Sequence, residues 1–143
     1  AGVEIVEELA RYAEDTYITP SLLSQGFANG LLKDDWFEEN VQNLISLYEP
    51  RLDSTLSSLD RYFPEADWVR AEGGFFVGLW LPDSSEVDKF YRRAKEGGLA
   101  LSSPEGFFSG YEEEGFVRLP FPALSPSRIE EGVKRLSRIW KDL

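Results

Sequence analysis

The 143-residue sequence contains no cysteine, no histidine and no methionine. Without cysteine there is no disulfide, thiolate nucleophile or zinc ribbon, and without histidine no imidazole base, proton relay or ordinary transition-metal site. A catalytic triad drawn from this chain alone is therefore excluded. Basic residues are also scarce: 15 Lys plus Arg stand against 26 Asp plus Glu, a formal charge of −11. Binding to nucleic acid needs clustered cations to neutralise phosphates, so nucleic acid is not an expected partner of this domain, and anionic membrane surfaces are disfavoured for the same reason. No apolar run approaches the ~20 residues that span a bilayer, and no signal-peptide pattern opens the chain. The expectation is a soluble, cytoplasmic protein, with the lack of cysteine itself compatible with either redox compartment. An initiator methionine is missing too: Ala1-Gly2 leads at once into Val3, Val6, Leu9, Ala10 and Ala13, an apolar stripe at helical spacing. The chain reads as a fragment.

Hydrophobic residues make up 42% and aromatic residues 14%, enough for one domain with a core of its own. Residues 3–14 read as an amphipathic helix, ended by the polar, proline-broken stretch around Pro20. Ser21 starts a second helix, with Leu22, Leu23, Gly26, Phe27, Gly30 and Leu31 on one side. Asp34 or Asp35 is the expected N-cap of a long helix reaching about Phe63, with a kink at Pro50 where a backbone donor is lost. From Trp68 the period becomes extended: residues 68–70 and 75–81 read as strands on either side of Glu72-Gly73-Gly74. A helix capped by Ser84 or Ser85 follows, its apolar face made by Val87, Phe90, Tyr91 and Ala94, and Gly97-Gly98 ends it as a left-handed cap. Residues 99–101 read as a short strand, 102–115 as a loop and 116–121 as another strand. Ser125 at the N-cap and Pro126 at the first helical position open the last helix, whose apolar face runs from Ile129 through Val133, Leu136, Ile139 and Trp140 to Leu143. The fold class is α+β in the order αα(β)βαββα, a small mixed or antiparallel sheet with helices packed on it.

Few residues could carry chemistry. Alternation along 116–121 puts Val117, Leu119 and Phe121 on one face and Phe116, Arg118 and Pro120 on the other, so one cation stands between apolar neighbours. Arg118 either pairs with a carboxylate of this chain at the sheet surface or grips a ligand carboxylate with its planar fork. Gly73 and Gly74 either supply the backbone angles of a bulge or tight connection, or let a ligand approach the backbone. The loop Ser103-Pro104-Glu105-Gly106-Phe107-Phe108 either plugs the core or lines a pocket mouth. The five lysines, Lys33, Lys89, Lys95, Lys134 and Lys141, read as solvated helix faces. The runs Glu38-Glu39 and Glu112-Glu113-Glu114 lack the pattern of a calcium loop, and no glycine-rich phosphate loop follows a strand.

The succession Thr19-Pro20-Ser21 with Gln25, Tyr48 through Arg51, Pro64, Glu72-Gly73-Gly74-Phe75-Phe76-Val77, Ser103-Pro104, Phe116-Val117-Arg118-Leu119-Pro120-Phe121 and Glu130-Glu131-Gly132-Val133-Lys134-Arg135-Leu136 resembles the C-terminal domain of fold-type I aminotransferases, which depend on pyridoxal 5'-phosphate (PLP). It is most similar to the branch of 2-aminoadipate, aromatic and branched-chain aminotransferases and MocR-type regulators. The resemblance implies that Arg118 binds the α-carboxylate of an amino acid or 2-oxo acid, that Gly73, Gly74 and the loop around 103–108 border the substrate pocket, and that the domain closes the active site. It implies further that residues 1–33 are the end of the large domain and the interdomain crossing, that residues 34–143 form the small domain opened by the long interdomain helix, and that the parent is a homodimer. The cofactor lysine, the phosphate-binding residues and the Asp facing the pyridine nitrogen are expected upstream, so this fragment alone should neither hold PLP nor transaminate. Glu105 departs from the family pattern by separating Pro104 from Gly106. The alternative is the effector-sensing domain of a MocR/GntR-type regulator.

Overall fold

The last helix shows how directly local sequence becomes structure here. Pro126 has no backbone N–H to leave unsatisfied and a φ already suited to a first turn, and α5 (Pro126–Lys141) begins on it. Its stripe of Ile129, Val133 and Leu136 is buried, and Arg138 and Lys141 lie in the last turn, where the helix dipole favours cations. The computed structural model describes residues 2–33, 36–81, 83–101 and 115–143. The expected caps Asp34 and Asp35, and the loop from 102 to 114 with its aromatic and acidic runs, lie outside the described residues.

Two compact units divide the chain, residues 1–44 and 45–143. The first contains α1 (Val3–Thr16) and α2 (Leu22–Lys33), whose apolar side chains, among them Val6, Leu9, Leu23 and Phe27, are exposed. Just past the end of α1, Ile18 has a φ of 61°, and its N–H returns to the Ala13 carbonyl at 2.7 Å. Gln25 ties the proline connection to α2 by donating its amide to the Pro20 carbonyl at 2.8 Å. α3 (Trp36–Tyr62) starts in this unit and runs without interruption through Pro50.

The second unit is built on a three-stranded antiparallel sheet, β1 (Asp67–Trp68), β2 (Phe76–Trp80) and β3 (Phe116–Pro120), in that spatial order. Val77 pairs with Leu119 and Leu79 with Val117, so the four inward residues meet across the strands and are buried. The end of α3 contributes Leu59 and the following Phe63 to the same core, α4 (Val87–Glu96) contributes Phe90 and Ala94, and α5 adds its stripe. Helices on one face of an antiparallel sheet make the α+β architecture expected from the sequence.

The observed order αααββαβα has three helices before the sheet where the expected string αα(β)βαββα has two, and it lacks the expected strand at residues 99–101. The reason is the cap that precedes them. Gly98 has a φ of +72°, the Leu99 N–H reaches back to the Ala94 carbonyl at 2.8 Å and the Gly98 N–H to Lys95 at 2.9 Å, the paired bonds of a Schellman ending. Leu99 spends its donor on the helix and packs its side chain on the core, so it has no ladder to join. Two cap details differ as well. Ser125 makes no side-chain cap, and a 3-10 turn (Ser84–Glu86) precedes α4 with Asp83 Oδ1 accepting from the Ser85 N–H at 2.9 Å.

Candidate carboxylate-binding face

The face of the sheet turned away from the helices carries the cation singled out by alternation. On it Phe76 stands opposite Pro120, Gly78 opposite Arg118 and Trp80 opposite Phe116. Arg118 is half-buried, and its Cζ lies 4.0 Å from the centroid of the Phe76 ring. A guanidinium over an aromatic face at this distance is a cation–π contact. Phe76 is the diagonal neighbour of Arg118, within reach of a long side chain across the strands.

Gly78 makes that reach possible. A Cβ at Gly78 would lie 2.8 Å from Cε2 of Phe116 and 3.5 Å from the Trp80 ring, so the Phe116 ring occupies the space that a side chain opposite Arg118 would need. Phe116 and Trp80 in turn meet in a tilted contact, with ring centroids 4.9 Å apart and planes at 56°. The face therefore has an aromatic pair at one end, the guanidinium over Phe76 at the other, and glycine backbone between them.

The ladder also determines where the backbone of Arg118 points. The Gly78 carbonyl accepts from Val69 N–H at 2.9 Å on the β1 side, while Leu81 N–H bonds Gly115 at 2.8 Å and Phe121 N–H bonds Phe75 at 3.2 Å on the β3 side. Gly78 and Arg118 are consequently a non-hydrogen-bonded pair, and the N–H and carbonyl of Arg118 face the outer edge of β3. There the Arg118 backbone hydrogen-bonds the Tyr91 hydroxyl of α4. Burial raises the Tyr91 pKa, with the Arg118 hydrogen bond and charge pulling less strongly the other way, so Tyr91 is a neutral phenol at neutral pH.

Gly73 and Gly74 occupy the bend leading into β2, and a Cβ on either would meet nothing within 4 Å. Gly74 has a φ of +86°, which explains glycine at that position by backbone geometry alone; Gly73 has no such requirement. Phe75, between Gly74 and the strand, is exposed and packs edge-on against Tyr48 of α3 at 5.5 Å, and the Arg51 guanidinium one turn on donates to the Pro122 carbonyl. Sequence reasoning does not single out Phe76 and Tyr91 as partners of Arg118. The signal that finds them is the strand register, which alternation within one strand does not contain.

Four of the lysines lie on helices without an ion pair among the described residues, but Lys89 is half-buried, 2.9 Å from both the Glu86 carboxylate and the Leu143 carbonyl. No lysine stands on the three strands. Among the described residues no acidic cluster is gathered to hold a metal ion, and no helix is long and apolar enough to cross a membrane.

No protein-family model matches the chain. A 2-aminoadipate transaminase of Thermus thermophilus is 31% identical over the whole of this chain and 36% of its own length. A solved α-aminoadipate aminotransferase of Thermus thermophilus, complexed with N-(5'-phosphopyridoxyl)-L-leucine, superposes with a TM-score of 0.80 at 29% identity, over 99% of this chain and 36% of that one. The chain is homologous to the C-terminal part of aminotransferases. It spans about a third of the length of the curated relatives it matches. The homologues also include an uncharacterized HTH-type transcriptional regulator of Bacillus subtilis, YdfD, 24% identical over 97% of this chain and 29% of its own length. Relatives of both kinds align over nearly all of this chain.

Proposed function

We propose that this chain is the substrate-closing small domain of a PLP-dependent aminotransferase, and that Arg118 binds the α-carboxylate of the amino acid or 2-oxo acid. The observation that carries the reading is the guanidinium held over Phe76 on the sheet face away from the core, a planar donor fork on a rigid strand. Such a fork meets a carboxylate through two parallel N–H···O bonds, which fixes orientation as well as charge. Oriented binding lowers the entropic part of the barrier, and a moving domain wall excludes water from the reacting centre.

The cofactor itself finds no fit in these residues. Among the described residues the face offers one arginine and aromatic rings, with no lysine on its strands and no glycine-rich phosphate turn, so it suits the carboxylate end of a substrate. PLP, held by the rest of the parent protein, supplies the electron sink for amino-group transfer. In a homodimeric parent, α1 and α2 would be the end of the large domain and the interdomain crossing, and their apolar sides, exposed in this chain, would be covered by the rest of that domain. Gly73 and Gly74 are lesser candidates at the pocket border.

The test is Arg118→Gln in the full-length protein that carries this chain, assayed with amino acids and 2-oxoglutarate. Losing the fork from a desolvated carboxylate pair costs roughly 2–5 kcal/mol, a fall in kcat/KM of about 30-fold to several thousand-fold. An unchanged kcat/KM overturns the assignment. The regulator relatives support a second reading, in which the same face senses an amino acid without turnover. A full-length protein that binds amino acids, fails to transaminate and carries a helix-turn-helix segment meets that description instead.

A further inference from the structure

We propose that Phe76 is a positioning residue for Arg118, fixing the plane of the guanidinium so that its fork presents edge-on to a bound carboxylate. The inference rests on the carboxylate-binding reading of Arg118 and adds to it the element that makes the arginine selective for a planar anion.

Three features of the fold converge on this contact. The base of the Arg118 side chain is fixed, because its neighbours Val117 and Leu119 are buried and paired with Leu79 and Val77, and because Tyr91 hydrogen-bonds its backbone at the open edge of β3. The tip is fixed by the Phe76 ring, 4.0 Å from Cζ. Between base and tip, the cross-strand position is Gly78, over which the Phe116 ring closes, so the arm lies toward Phe76 on the diagonal.

The consequence follows from the geometry of the two groups. A ring that meets the face of a guanidinium leaves its N–H groups, which radiate in the plane, to other acceptors, and the 4.0 Å between Cζ and the Phe76 centroid is the spacing of such a contact. Stacking therefore orders the arginine without using the donors that grip a carboxylate. An unstacked arginine retains about 2 kcal/mol of rotamer freedom, which binding would have to overcome each time a substrate arrives. Phe76 removes part of that cost before the ligand binds, in the way preorganisation raises affinity elsewhere. A lysine at the same position would gain little from the ring's orientation, since an ammonium has no plane to align.

The experiment is a double-mutant cycle in the full-length protein, with L-2-aminoadipate, L-phenylalanine and L-leucine each tested as donors to 2-oxoglutarate. Phe76→Leu and Phe76→Met keep an apolar side chain and remove the ring, while Phe76→Tyr keeps the ring. The expected result is a rise of roughly 5- to 10-fold in the amino-acid KM for Phe76→Leu and Phe76→Met with kcat within 2-fold, restoration to within about 2-fold by Phe76→Tyr, and no further loss of kcat/KM when Phe76→Leu is added to Arg118→Gln. Thermal midpoints of all variants are read alongside, and Phe76→Met stands in where Phe76→Leu does not fold. If Phe76→Leu lowers kcat/KM by the same factor with Arg118 intact as in the Arg118→Gln background, or if Phe76→Tyr is as damaging as Phe76→Leu, the positioning role is overturned and the carboxylate reading stays intact. A kcat/KM unmoved by Arg118→Gln overturns both.

Discussion

Three glycines near the sheet separate two physical reasons for having no side chain, and replacing each by alanine measures them one at a time. At Gly73 a Cβ meets open space and φ is not positive, so the substitution changes only the unfolded chain, which loses freedom; the expected effect is a stabilisation of about 0.4–1 kcal/mol. At Gly74 space is again open but φ is +86°, where an L side chain costs roughly 1–2 kcal/mol; offset by the unfolded-state gain, a net loss of about 0.5–1 kcal/mol is expected. Gly115 combines a φ of +80° with a backbone approach, since its Cβ would lie 2.8 Å from the Leu81 carbonyl oxygen. That oxygen cannot swing away as a side chain would, because Leu81 is tied to Gly115 by its own N–H at 2.8 Å. Adding about 1–3 kcal/mol for overpacking to the conformational cost gives a loss of roughly 2–4 kcal/mol. Urea unfolding of the chain, followed by tryptophan fluorescence, reads the series. With a slope near 2 kcal/mol/M, Gly115→Ala should lower the midpoint by about 1–2 M and Gly74→Ala by less than about 0.5 M. If Gly115→Ala costs no more than Gly74→Ala, the close-approach argument is wrong. The same variants bear on the site: Gly73→Ala that leaves stability unharmed yet raises KM in the full-length protein assigns Gly73 to the substrate pocket, and an unchanged KM leaves it a connection.

Two further perturbations test the packing around the arginine. Phe90 is fully buried and meets Trp140 edge-on at 6.4 Å, so Phe90→Ala should cost about 3–5 kcal/mol in the same urea assay; a loss below about 1 kcal/mol would contradict its place in the core. Tyr91 has a folded-state pKa raised above its ordinary value of 10.0, chiefly by burial, so its neutral form is favoured on folding. Its contribution to stability is therefore complete below pH 10 and is lost as pH rises through the folded-state value. Tyr91→Phe should flatten that alkaline limb of a stability–pH profile, and an identical limb in the variant refutes the assignment.

How much of the fold could be read from sequence follows from the range of the interactions that determine each element. α5 was legible because its start, its apolar stripe and its charged last turn are all written within 16 residues. β2 and β3 were legible as strands because burial alternates along each: Val77, Leu79, Val117 and Leu119 are inward while their neighbours are not. Residues 99–101 mislead because Leu99-Ala100-Leu101 is a short apolar run just after a helix end, and what prevents it from being a strand is the donor that Leu99 gives to Ala94 five residues earlier. Gly97-Gly98 announces a helix end, yet which glycine takes the positive φ and which donor closes the cap depend on geometry that composition does not encode.

The candidate site divides along the same line. Arg118 was visible because a cation amid apolar residues on a strand demands an explanation from its own segment. Phe76 was not, because its relation to Arg118 spans 42 residues and exists only once Gly78 is opposite Arg118; a shift of one residue in that pairing would turn Phe76 into the core. The register is held by bonds at its two ends, Leu81 to Gly115 and Phe121 to Phe75, and by the buried pairs between them. The glycines and the arginine are thus parts of one arrangement. Gly115 admits the close backbone contact that anchors one end of the register, Gly78 gives space to Phe116, and the resulting diagonal brings the Arg118 guanidinium over Phe76.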